Sequence, residues 1–245
     1  MRPEQKDHFE IEDCLKDVSG YREFVRSALL GRETLLDLGT GAGYGVLAVA
    51  GYVGKVIATD LEADMIDAAR KTCEIAKILN VEFSQMAAEH IDWPDGSIDA
   101  VQIRFSLHHF GNAQKVLSEV RRVLKPDGVL LLADAFFSQS VVQVWTITSL
   151  LRHGKWTPYF TYRQHMDMLA EASLCIEKMR PILIEQSFDD FYNSAPEAQR
   201  EPLQAIVEHL TEDQRKLMHF REVNGQSKYA YDGFELIARK ISQSQ

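Results

Sequence analysis

A doubly wound α/β fold built on a mostly parallel sheet is predicted by three features of this sequence. Short β-prone runs alternate with helical patterns, a glycine-rich turn follows the first of those runs, and an acid stands at the end of the second. The 245 residues, 45% of them hydrophobic, suit one domain with a sizeable core.

The elements follow in order. Residues 8–30 place Phe9, Ile11, Leu15, Val18, Tyr21, Phe24, Val25, Leu29 and Leu30 at helical spacing, which predicts a helical cap. Four β-prone runs come next: "TLLDLG", "GKVIATD", "NVEFSQM" and "IDAVQIRF". Helical patterns separate them, among them residues 62–79 with Asp64 in the first turn. In "AQKVLSEVRRVLKPDGVLLLADAF" a helix with Val116, Leu117, Val120, Val123 and Leu124 on one face leads through a Pro126-Asp127-Gly128 turn to a buried strand over 129–133.

Beyond Ser138 the pattern changes. "SVVQVWTITSLLRHGKW" and "YRQHMDMLAEAS" read as helices, "CIEKMRPILIEQSF" as a strand, and "PEAQREPLQAIVEHLTEDQRKLMHF" as two charged amphipathic helices. The turn-prone Asn224-Gly225 precedes a last strand over 229–239, which would form an antiparallel pair at one edge of a seven-stranded sheet. The whole reads as a single domain over 1–245: a helical cap (1–30), a ligand-binding core (31–138), and a lid with substrate-side elements, including a helical insertion (139–245).

A net charge of -9 argues against nucleic acid as a partner, because duplex affinity rests on clustered Lys and Arg. Cys14, Cys73 and Cys175 are scattered and odd in number, so they suggest neither a disulfide framework nor a metal site, and a reduced compartment fits them. With no leader-like apolar segment and no run of about 18 apolar residues, the expected location is the cytoplasm.

The glycine turn narrows the ligand. A dinucleotide fingerprint counted from Gly39 needs a glycine at position 44, where Tyr44 stands; the observed pattern is Asp37-x-Gly39-x-Gly41-x-Gly43. A carboxylate at Asp37 would repel a pyrophosphate but attract an ammonium, directly or through water. Asp60, seventeen residues after Gly43, suits the two hydroxyls of a ribose. A ribose, a cationic part and no essential phosphate describe S-adenosylmethionine.

With "LLDLGTGAG", "ATDLEADMI", "AAEHIDWPDGSIDAV", "FSLHHF" and "EVRRVLKPDGVLLLAD" in that order, residues 33–138 resemble the class I S-adenosylmethionine-dependent methyltransferases. Within that class they are similar to the ubiquinone/menaquinone C-methyltransferases (methyltransferase type 11). The resemblance implies a Rossmann-like core in which Gly39, Thr40, Gly41 and Gly43 wrap the methionine end, with Asp37 near its ammonium. It also implies that Asp60 holds the ribose, that Leu61 and Met65 line the adenine, and that Ala88 and Glu89 meet its edge. Arg104 and Phe105 would contact the cofactor at least through their backbone. The family often has an acid where this chain has Ala87, so Glu89 or a backbone carbonyl would take that part.

Transfer from a sulfonium needs alignment above all, and a base only where the nucleophile must lose a proton. His108 and His109, just beyond the fourth strand, are the candidates; each also has a bland reading, as a helix cap or as packing beneath the cofactor. Arg104 reads equally as a cofactor-carboxylate contact or a surface residue. Phe136, Phe137, Trp145, Trp156, Tyr159, Phe160 and Tyr162 suggest an apolar lid over an aromatic or lipophilic acceptor, or else core and dimer packing. Phe188, Phe191 and Tyr192, with Asp189 and Asp190, would close the other side or simply start a helix, and the charged helices over 196–222 suit a solvated face.

The expected function is methyl transfer to carbon or oxygen of a small acceptor. The rival is a protein that binds S-adenosylmethionine without transfer, as a sensor, an assembly subunit or a host for a rearrangement. The expected partners are that small molecule and a second copy of the chain as a homodimer. No metal is implied.

Overall fold

A computed structural model describes residues 18–241, so the cap residues Phe9, Ile11 and Leu15, and Cys14, lie outside the described residues. The first described helix is α1 (Ser19–Leu29), which buries Tyr21, Phe24, Val25 and Leu29 on one face. The alternation then proceeds through β1 (Arg32–Leu38), α2 (Tyr44–Val49), β2 (Val53–Asp60), α3 (Ala63–Ile75), β3 (Val81–Gln85) and β4 (Ile98–Arg104). A short 3-10 turn at Leu107–His109 leads to α4 (Ala113–Val123) and β5 (Leu124–Ala135).

The C-terminal part holds α5 (Val142–His153), α6 (Tyr162–Glu171), β6 (Leu174–Ser187), α7 (Phe188–Asn193), α8 (Glu197–Glu208), α9 (Glu212–Leu217), β7 (Arg221–Val223) and β8 (Gln226–Lys240). Positive φ at Asn224 and Gly225 closes the β7–β8 hairpin that the turn residues predict.

The sheet order is β3-β2-β1-β4-β5-β8-β6, with β7 paired to β8. Strands β1 to β5 pair in parallel, and β8 runs antiparallel to both β5 and β6. The chain winds from β1 out to β3 and returns to start again at β4, so the crevice between the C-terminal ends of β1 and β4 is the topological switch point where such sheets bind ligands.

Besides an eighth strand, the short β7 paired to β8 where seven strands were expected, two features differ from the pattern read in the sequence. The Pro126-Asp127-Gly128 turn lies inside β5 as a bulge, because Ile98 pairs with Leu124 while Ala100 pairs with Val129. The other concerns the antiparallel pair: β8 meets β5 only up to Ala135↔Gly233 but follows β6 on to Ser187↔Lys228. That ribbon overshoots the parallel sheet, and α5, α7 and α8 pack on the overhang in a third apolar cluster of Trp145, Phe188, Phe191, Leu203, Val207 and Tyr229. Of the two charged helices over 196–222, α8 buries Leu203 and Val207 on one face and is solvated on the other, whereas α9 buries none of its residues.

One face of the sheet is covered by α4 and α6, through Val116, Leu117, Val120 and Leu169; the opposite face is covered by α1, α2 and α3, through Val25, Val46 and Cys73. On the first face, α4 holds the loop after β3. Glu119 accepts from the amide of Ile91 (3.2 Å) and from Arg122, and Arg122 in turn donates to the carbonyls of Ile91 (2.7 Å) and Trp93 (2.8 Å).

The Arg122 hydrogen bond, with Lys115 and the Ile91 amide helping, outweighs burial and lowers the Glu119 pKa from 4.5 to about 2. A depressed acid stabilises the fold above its unfolded pKa, and that contribution is lost as pH falls from about 4.5 towards about 2. Glu119→Gln is accordingly expected to flatten the acid limb of a urea-midpoint against pH curve in that window. A curve parallel to the wild type would show that the cluster adds nothing.

Candidate functional site

The turn after β1 is built around Asp37. In the parallel register Asp37 sits opposite Gln102 of β4, so the two side chains share a face of the sheet. The Gln102 amide donates to one carboxylate oxygen (2.8 Å) and the Thr40 hydroxyl to the other (2.7 Å), with Asp37 only 2% exposed. Burial pushes the Asp37 carboxyl up, while Gln102 and Thr40 pull it down. Gly45 lets α2 lie flush against this pair, since a Cβ there would stand 2.7 Å from the Gln102 amide nitrogen.

Removing the carboxylate would leave two buried donors without an acceptor. Asp37→Ala is therefore expected to destabilise the protein by about 3 kcal/mol in urea denaturation, with Asp37→Asn well below that. A loss under about 1 kcal/mol for the alanine variant would show that the network is not what holds the turn.

Gly39, Gly41 and Gly43 all have positive φ (+68°, +52° and +85°). They differ in surroundings. A Cβ at Gly39 would collide with Ser106 at 2.7 Å and one at Gly43 would press on Ala69 backbone at 3.0 Å, whereas one at Gly41 would meet nothing within 4 Å. Two of the glycines serve packing against neighbouring elements, and Gly41 borders open space.

Asp60 closes that space from β2. One of its oxygens accepts from the Gly41 amide (2.9 Å) and the other from the Glu62 amide (3.1 Å), which leaves lone pairs on both. Leu61 is 61% exposed and Met65 is half-buried on the first turn of α3. Ala88 is buried, and Glu89 accepts from the Asn112 amide at 3.2 Å, tying the loop after β3 to the start of α4.

On the β4 side, Phe105 has φ +55° and its amide donates to the Ala133 carbonyl (2.7 Å), a kinked exit that turns the chain over the switch point. The Arg104 guanidinium lies against the rings of Phe105 (4.9 Å) and Tyr21 (5.6 Å), so it is not a plain surface group. The two histidines part company in the following 3-10 turn. His108 is buried, its Nδ1 2.6 Å from Asp134 at the end of β5, with the Tyr159 ring stacked 5.0 Å away. His109 has an exposed edge, and the protein packed around it, with His108 adding to the effect, lowers its pKa.

Burial alone would raise the Asp134 carboxyl, but His108 and His165 together hold it below the usual carboxylate range. Neither Asp134 nor His165 of α6 stood out in the sequence, nor did Gln102. The available signal was a polar residue set among apolar neighbours in each of two strands, Gln102 within "AVQI" and Asp134 within "VLLLADAF".

The aromatic residues after β5 do not form one surface. Phe137 and Trp145 are buried in the overhang cluster, Phe136 and Phe160 pack on the core under α6, and Trp156 is 66% exposed. Phe188 and Phe191 are core as well, and Ser187 rather than an aspartate caps α7, with Asp189 and Asp190 in its first turn. Tyr159 bridges, with its ring 5.0 Å from both His108 and Phe137. Phe137 also lines a pocket of about 330 Å³ with Phe136, Val141, Tyr162, Tyr231 and Asp232. Lys155, beyond α5, reaches Glu62 beside Asp60 at 3.5 Å, so the segment between α5 and α6 spans the cleft.

Among the described residues no helix is long and apolar enough to cross a membrane. Residues 36–132 match the family described as methyltransferase domain. The uncharacterized methyltransferase YcgJ of Bacillus subtilis (strain 168) is 38% identical over 108 residues, 44% of this chain and 43% of that one. The ubiquinone/menaquinone biosynthesis C-methyltransferase UbiE of Escherichia fergusonii is 35% identical over 115 residues, 45% of each chain. The matched stretch thus spans under half the length of these two relatives.

The crystal structure of Bacillus subtilis YcgJ superposes with a TM-score of 0.83 at 22% identity, covering 91% of this chain and 99% of the other. That of BH2331 from Bacillus halodurans C-125 superposes with 0.82 at 25% identity, covering 91% and 98%.

Proposed function

We propose that this chain transfers a methyl group from S-adenosylmethionine to carbon or oxygen of a small, largely apolar or aromatic acceptor, a reading supported by the match of residues 36–132 to the methyltransferase domain family. The observation that carries the proposal is a juxtaposition at the switch point. The open side of the Gly39–Gly43 turn and the free lone pairs of Asp60 lie on one side of the crevice, and a buried His108–Asp134 pair lies on the other.

The cradle fits the cofactor. Gly41 leaves room for a ligand against its backbone, Asp60 keeps acceptors for two ribose hydroxyls, and Leu61 and Met65 offer apolar surface for a base whose edge meets Ala88 and Glu89. Gly39, Thr40 and Gly43 shape the methionine end. Asp37, saturated by Gln102 and Thr40, would act on an ammonium there through its field and through water, while Arg104 and Phe105 floor the same end. When bound, S-adenosylmethionine supplies an electrophilic methyl on a good leaving group.

The protein's own residues supply alignment and, for a phenol, enol or activated methylene, a base. Asp134 accepts from His108 Nδ1, which fixes that tautomer and leaves Nε2 bare to take a proton. His109 edges the same crevice without a carboxylate partner of its own among the described residues. Tyr159 stacks on His108 and excludes water from its face.

Isothermal titration with S-adenosylmethionine and with NAD tests the cofactor: binding of the first and not the second is expected, and the reverse overturns the reading. Labelled cofactor with a panel of phenols, quinols and polyketides tests transfer. Binding with no labelled product from any of them would favour a protein that holds the cofactor without passing on its methyl.

A further inference from the structure

Asp134 is fully buried and unevenly served. Its Oδ1 takes His108 Nδ1 at 2.6 Å and the Ala135 amide at 2.9 Å, whereas Oδ2 has no hydrogen bond among the described residues and faces His165 Nε2 at 3.6 Å. His165, also fully buried, belongs to α6, whose start is fixed by a capping box between Thr161 and Gln164. That box sets the carbonyl of Thr161 at 3.1 Å from His165 Nδ1.

A carbonyl only accepts, so His165 Nδ1 carries a proton. A neutral ring in that tautomer would then aim a bare lone pair at the carboxylate, two acceptors facing each other at 3.6 Å, too close for a water to stand between them. A second proton on Nε2 removes the conflict. It gives Oδ2 its donor and turns the contact into an ion pair that shortens by a few tenths of an ångström.

We propose that His165 is a positioning residue held as a buried imidazolium, whose charge balances Asp134 so that His108 rests neutral, with a proton on Nδ1 and a bare Nε2. Without that cation Asp134 would draw a second proton onto His108 and fill the lone pair that a base needs. Among the described residues the walls around His165 are uncharged: Phe160 and Phe234 present rings at 5.4 Å and 5.0 Å, and from α4 Gln114 gives its amide to the Met168 carbonyl. From the turn after β4 the charged or titratable groups are His108 and, behind it, His109, which His153 and Lys155 approach from the lid.

This inference rests on reading His108 as the base, yet the two fail separately. A His108→Gln protein that still transfers methyl sinks the base and leaves the state of His165 unaffected.

Nitrogen NMR of the full chain labelled with ¹⁵N-histidine, at pH 7 and without acceptor, reads the protonation states directly; the signals of His108 and His165 are assigned from H108Q and H165Q. In the wild type both His165 nitrogens should lie in the protonated range and His108 should show one protonated and one bare nitrogen. In H165Q the doubly protonated fraction of His108 should rise about tenfold relative to the neutral form. In D134N His165 should lose its Nε2 proton. A singly protonated His165 in the wild type, or an unchanged His108 in H165Q, overturns the proposal. Should either variant fail to fold, the wild-type His165 signals, assigned instead by triple-resonance correlation to the backbone, decide.

Discussion

Replacing His108 by glutamine is expected to slow methyl transfer about 10²- to 10⁴-fold while leaving the affinity for S-adenosylmethionine within about twofold. The ring lies outside the glycine turn and the Asp60 cradle, so a substitution there should spare the cofactor. Its Nδ1 is spoken for by Asp134 at 2.6 Å, which leaves a single nitrogen for proton transfer, and glutamine preserves the bulk without the basic lone pair. His109→Ala serves as the contrast. With an exposed edge and no carboxylate partner among the described residues, it should cost less than about tenfold. Single-turnover transfer of a labelled methyl to the responsive acceptor, paired with calorimetric binding, separates rate from affinity. Equal effects at the two positions would mean that Asp134 does not select the base.

The turn, the acids and the alternation of strands and helices were legible because local chemistry dictates them. A glycine pattern broken at Tyr44, an acid two residues before the first glycine and an acid ending the next strand all act within about 25 residues of one another, and the structure sets them around one crevice. What the sequence hid depends on register and on long-range return of the chain. Gln102 meets Asp37 only because β4 lies beside β1, and His165 meets Asp134 only because α6 folds back over β5. The aromatic run after β5 misleads for the same reason. Burial of Phe137 and Trp145 follows from the overhang of β6 and β8, which composition does not reveal.

Gly41→Val is expected to weaken S-adenosylmethionine binding by at least about 100-fold, close to 3 kcal/mol, while lowering stability by only about 1–2 kcal/mol. The stability cost comes from holding a branched residue at φ +52°, where glycine is unstrained; no steric term adds to it, since a Cβ there meets nothing within 4 Å. The binding cost arises because that same empty volume is where a ligand must approach the backbone, and because a shifted Gly41 amide releases Asp60 from its 2.9 Å hydrogen bond. Gly39→Val should invert the balance: its Cβ would drive into Ser106 and Phe110, so the turn itself gives way and the melting temperature falls furthest. Gly43, pressed against Ala69 backbone at 3.0 Å, should behave like Gly39. Measuring thermal midpoint and cofactor affinity for all three variants therefore separates the glycine that faces a ligand from the two that face protein. If Gly41→Val bound the cofactor as the wild type does, the methionine end would have to lie elsewhere, and the role given to Asp60 would fall with it.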